Sequence, residues 1–149
     1  MGLPLTDTAT SSLDLARRQR AQLLAMIQRV ESALAAPAAE PGWRGGVMTW
    51  LAALREAFAD HVAVTEGIDG LYAELLGHAP RLAHGVDGLV RDHGRLRHAM
   101  DAVWVRAPGA RPQELRLWAG DLLRDLYRHR QRGADLVYEA YQTDIGGET

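Results

Sequence analysis

The chain of 149 residues contains no cysteine and no lysine, and a single phenylalanine. Without cysteine there are no disulfides, no thiolate metal sites and no thiol nucleophile. Without lysine there is no side-chain amine to form a Schiff base, and all 17 basic residues are arginine. No segment approaches the roughly 20 uninterrupted apolar residues that a membrane span requires. The stretch from Met1 to Ser12 lacks a basic region followed by an apolar run, so no signal peptide is legible and a cytoplasmic location is expected. The net charge of −2 leaves no excess of positive charge to drive binding to nucleic acid or anionic lipid. No alternating strand pattern, internal repeat or low-complexity segment is visible.

What remains is helical periodicity. Apolar residues recur at alternating spacings of three and four, as on a helix face that packs against neighbours. One seam runs Val47, Leu51, Leu54, Phe58, His61, Thr65, Ile68, and another Leu82, Val86, Leu89, His93, Leu96, Met100, Val103. A third runs Leu115, Trp118, Leu122, Asp125, His129, Arg132, Leu136, and the first helix contributes Leu13, Ala16, Arg20, Leu23, Ile27, Val30, Leu34. Pro and Gly clusters in Pro37–Gly46, Gly77–Pro80 and Arg106–Pro112 break the pattern. The expected architecture is all-α: one domain over 1–149, an antiparallel up-down four-helix bundle with helices near 11–36, 47–66, 80–105 and 113–143. A Ser/Thr cap within Thr8–Ser12 is expected to start the first helix, a short helical piece at Leu71–Leu76 to cover one bundle end, and the terminal IGGET to fray.

Each of three seams is interrupted by a histidine. In an up-down bundle two residues share a depth when their midpoint falls in the intervening loop. The midpoint of His61 and His93 is Gly77, and that of His93 and His129 is Arg111, both in predicted loops. Reflecting His61 across the first loop lands near Arg20. One layer should therefore hold Arg20, His61, His93 and His129. Buried imidazoles need partners, and three converging from three helices are the donor set of a bundle-core metal site. His78, His84 and His98 fall off the seams and are expected at the surface.

Carboxylates are sparse around that layer. Glu66 follows the seam position one turn beyond His61, and is the best acid to complete a metal site if the helix unwinds locally. Asp135 lies similarly beyond His129; Asp125, on the seam one turn before it, suits either a buried pair with Arg97 or an outer bond to His129. Arg20 either pairs with an acid or anionic ligand, or extends its head toward a bundle end. Gly133, with Ala134 and Ala16, leaves room beside the histidines, for a cavity or for close helix contact.

The segments DHVAVTEG (Asp60–Gly67), LVRDHGRL (Leu89–Leu96) and LYRHRQRGADLVYEAY (Leu126–Tyr141) make the chain resemble the hemerythrin-like (HHE cation-binding) family of four-helix bundles. The resemblance implies a non-haem di-iron centre used for O₂ carriage, sensing or iron handling, with His61, His93 and His129 matching the family's histidines. The first-helix histidine stands as Arg20 or its neighbours Arg18 and Gln19, the second-helix acid is displaced to Glu66, and Gly133 and Ala134 replace the last acid. The di-iron set is incomplete, so at most one ion is expected, on His61, His93, His129 and Glu66, with Arg20, Asp125 and Gly133 lining the ligand site. Iron is the leading ion; zinc and other divalent ions suit the same donors. The expected partner is a small molecule such as O₂ or a small anionic ligand. A metal-dependent oxidase or oxygenase, and a metal-free bundle that engages a protein partner, are the alternatives.

Overall fold

The structure is a computed structural model that describes residues 5–147, with side chains from 13 to 142. Four long helices form an antiparallel up-down bundle: α1 (Leu5–Ala35), α2 (Trp43–Glu66), α4 (Ala83–Arg106) and α5 (Pro112–Gly147). The short α3 (Leu71–His78) and a 3₁₀ turn (Pro80–Leu82) link α2 to α4, and a second 3₁₀ turn (Ala107–Gly109) links α4 to α5. Among the described residues no helix is long and apolar enough to cross a membrane.

Several boundaries differ from expectation. Helix α1 begins at Leu5 rather than after Thr8–Ser12, because Ser and Thr are tolerated inside helices and mark a start only when their side chains cap. Helix α2 begins at Trp43, four residues before Val47. Trp43 and Val47 are one turn apart on the same face and both buried, so packing outweighs the low helix propensity of Gly45 and Gly46. The backbone of α5 is helical through Gly147; the rest of the tail expected to fray, Glu148 and Thr149, lies outside the described residues.

Each of the four tryptophans lies under an arginine of another helix. Arg29 of α1 covers Trp50 of α2, Arg55 of α2 covers Trp104 of α4, Arg106 of α4 covers Trp118 of α5, and Arg116 of α5 covers Trp43 of α2, at 4.9–5.6 Å from the ring centroid. A planar guanidinium stacks on an indole in a way an ammonium does not. Arg55 also reaches Asp101 at 2.7 Å, and Arg44 closes one bundle end by donating to the Ala107 carbonyl at 2.6 Å.

The apolar core is divided. One cluster runs from Leu23 to Leu34 on α1, Trp43 to Phe58 on α2, Leu96 to Ala107 on and just after α4, and Leu115 to Leu126 on α5. The other holds Ala16, Leu71, Tyr72, Leu75, Val86, Leu89, Leu136 and Ala140. Between the two, in chain position, fall the buried polar residues Gln19, His61, Thr65, Asp92, His93 and His129. The bundle thus carries a polar layer across its middle.

Candidate metal centre

The three histidines enter that layer from α2, α4 and α5, and all are buried. Their Nε2 atoms converge: His129 Nε2 lies 3.2 Å from that of His61 and 3.1 Å from that of His93. The three ligand atoms lie within 4.8 Å of one another, and among the described residues this is the one cluster of histidine or carboxylate groups placed to hold an ion. The imidazole rings meet edge to face, with centroids 4.7–5.4 Å apart.

Two rings are oriented from behind. Glu66 Oε2 is 2.5 Å from Nδ1 of His93, and Asp92 Oδ2 is 3.2 Å from Nδ1 of His129. A carboxylate oxygen accepts, so the nitrogen facing it carries the proton, and this assigns the tautomer of both rings. Burial lowers the pKa of all three histidines: that of His61 to about 3, reinforced by the charges it faces, and that of His129 to about 4 against the opposing pull of Asp92. For His93 burial likewise outweighs the hydrogen bond it donates to Glu66. Each ring is neutral at pH 7 with one proton, and in His93 and His129 that proton is on Nδ1. Their Nε2 atoms therefore present lone pairs to each other at 3.1 Å.

Facing lone pairs repel one another, and a cation between them turns the repulsion into two bonds. Two nitrogens each about 2.0–2.1 Å from one ion stand about 3 Å apart at octahedral angles and about 3.4 Å apart at tetrahedral ones. The observed 3.1 and 3.2 Å fall within that span. Those two spacings suit one divalent ion shared through His129. A second ion is not matched: the two carboxylates nearest the layer are engaged with Nδ1 atoms, on the far side of each ring from the convergence point.

Other expected site residues are placed differently. Glu66 is the last residue of α2 and spans to α4, so it backs His93 rather than facing the Nε2 convergence point. The buried polar residue of α1 is Gln19, 6% exposed, with an Oε1 that has no hydrogen-bond partner among the described residues. Arg20 is half-buried beside it, and its charge reaches both His61 and Arg130. Asp125 is 54% exposed and lies 3.8 Å from Arg128 at the surface, so neither a buried pair with Arg97 nor a bond to His129 forms. The buried face of α5 instead follows Leu115, Ala119, Leu122, Leu126 and His129. Between Leu115 and His129 the steps 4-3-4-3 and 3-4-3-4 arrive equally well, and the first puts apolar residues inside. Beside Gly133 nothing stands within 4 Å of where a Cβ would be, so the glycine marks open space, not a tight helix crossing. Asp135 is exposed and accepts a hydrogen bond from Gln131 at 2.8 Å. His78, His84 and His98 are exposed.

Two residues of the site are absent from the sequence reading. Asp92 is 4% exposed. It receives Arg132 at 2.9 and 3.1 Å, and Arg95, in addition to His129. Burial opposes its ionisation, but these donors together hold its carboxyl below the usual carboxylate range. The signal was its position: one residue before His93 is a step of about 100° around the helix, which turns the side chain from the seam toward α5.

Tyr72 is the other. It sits on α3, buried, with its hydroxyl 3.3 Å from Nε2 of His93 and its ring stacked on that imidazole. Burial pushes its pKa up, so the hydroxyl keeps its proton. The turn from α2 to α3 brings it there. A Cβ at Gly70 would stand 2.6–2.9 Å from the carbonyl oxygens of Val64, Thr65 and Gly67, so only glycine lets the chain double back this closely.

The family model of the Hemerythrin HHE cation binding domain matches residues 11–141 of the chain. No curated protein and no solved structure matches it.

Proposed function

The chain belongs to the hemerythrin HHE cation-binding domain family, and on that premise we propose that it holds a single divalent ion, iron foremost, on Nε2 of His61, His93 and His129, and uses it to bind or sense a small ligand such as O₂ or a small anion. The observation that carries the reading is the convergence of three buried Nε2 atoms, two of them on rings fixed from behind by carboxylates. Such outer carboxylates orient ligating imidazoles and raise their basicity. Bound iron would supply open coordination positions and, in its ferrous state, an electron donor to O₂. The protein's own part is to hold the rings neutral and aimed, to exclude bulk water by the two apolar clusters, and to favour negative charge near His61 through Arg20 and Arg130.

Metal analysis of protein purified without a histidine tag, repeated for His93→Ala and His129→Ala, tests the site. One ion per chain, lost in both variants, is expected. A stoichiometry near two refutes the mononuclear reading, and none in the parent refutes the site. Anaerobic Fe(II) loading followed by O₂, watched by ultraviolet–visible spectroscopy, then separates binding from catalysis. A reversible charge-transfer band supports binding; irreversible O₂ consumption with turnover replaces it with an oxidase.

A further inference from the structure

Tyr72 lies outside the four long helices, yet its hydroxyl is 3.3 Å from the same nitrogen that faces His129 Nε2 at 3.1 Å. Because Nδ1 of His93 already donates to Glu66, the contact has one sense: the tyrosine O–H donates to the lone pair on Nε2. An ion held by that lone pair takes the acceptor away. The hydroxyl remains in place, since its ring is stacked on His93 with centroids 5.8 Å apart and planes 18° from parallel. Its backbone is fixed by the close turn at Gly70. It is then left beside the ion with a proton to offer, and a bound ligand competes for it with Thr65, whose side chain also lies within hydrogen-bond reach.

We propose that Tyr72 is the hydrogen-bond donor to the exogenous ligand of this centre and selects small ligands that keep an acceptor lone pair when bound, the chemistry shared by azide and O₂. The inference rests on the metal-binding reading above. A donor placed before the ligand arrives costs no reorganisation when it binds, and in a buried site a hydrogen bond to an anion is stronger than one between neutral groups. Ligands without such a lone pair gain nothing from it, which is how the residue discriminates.

Co(II) reports both events through its visible spectrum, so the test titrates the tag-free protein and Tyr72→Phe with Co(II), then with azide. Phenylalanine keeps the stacked ring and removes only the hydroxyl. Co(II) affinity is expected to stay within about twofold, while azide binds about tenfold more weakly to the variant. Equal azide affinity in the two proteins overturns the role of Tyr72 and leaves the metal site standing. Loss of Co(II) uptake in the variant makes Tyr72 a ligand of the ion and also overturns the donor role. Failure of the parent protein to take up Co(II) overturns both this inference and the reading beneath it.

Discussion

Asp92 Oδ2 accepts from Nδ1 of His129 at 3.2 Å while Arg132 grips the same carboxylate at 2.9 and 3.1 Å. The aspartate is therefore pinned from the surface side and transmits that fixity to the imidazole. Asp92→Asn keeps the shape and an accepting oxygen but removes the charge. It should weaken divalent ion binding about 10- to 100-fold with helix content unchanged, the usual scale for outer-sphere partners. Competition against a chromophoric chelator measures it, and an unchanged affinity would mean that Asp92 serves only the arginines.

Acid should destabilise the metal-free protein well above the range in which ordinary carboxylates titrate. His61 and His129 have pKa values of about 3 and about 4 in the fold, against 6.5 for an unperturbed ring. The unfolded chain thus binds protons that the folded chain refuses. Stability is complete above pH 6.5 and falls as pH drops toward 4, by up to about 1.4 kcal/mol per pH unit for each ring. The lowered pKa of Asp92 acts in the same direction at still lower pH. Urea unfolding at pH 7.5, 6 and 5 reads the slope, which His61→Gln should make shallower. A flat profile across that interval contradicts the burial of neutral rings.

A bound ion should stabilise the fold by mass action. With free Zn(II) at about 100 times its dissociation constant, the gain is about 2.7 kcal/mol at 25 °C. Thermal melts with and without Zn(II), and after adding a chelator, should show a reversible upward shift that His129→Ala lacks.

Two glycines should respond oppositely to alanine. Gly70→Ala places a methyl 2.6–2.9 Å from three carbonyl oxygens, none of which can yield without moving backbone, and should cost about 1–3 kcal/mol. Gly133→Ala meets nothing within 4 Å and should stabilise helix α5 by about 0.5–1 kcal/mol. Paired melting curves decide both. A destabilising Gly133→Ala would show that the space beside the glycine closes in solution.

The depth of His61, His93 and His129 in the bundle was legible because depth along a helix follows from counting. Each residue advances about 1.5 Å whatever its neighbours are, so seam spacing and loop midpoints suffice to bring three distant histidines to one level. The apolar seams of α2 and α4 were legible for the same reason, except that Ile68, counted as the end of one, lies beyond the helix end and is 94% exposed.

Direction around the helix is different, since each residue turns the side chain by about 100° and adjacent positions compete for the same face. Gln19 more deeply buried than Arg20, Leu126 instead of Asp125 in the core, and Asp92 turned toward His129 are all choices of direction, made by which helices adjoin. Tyr72 depends on a turn whose closeness shows only when the carbonyls crowding Gly70 are in place. The sequence by itself determined the four helices and the level of the histidine layer, because both rest on periodicity along one chain segment. Only the tertiary structure decided which carboxylates hold the rings and which hydroxyl stands beside them, because those contacts join helices whose mutual rotation no single segment encodes.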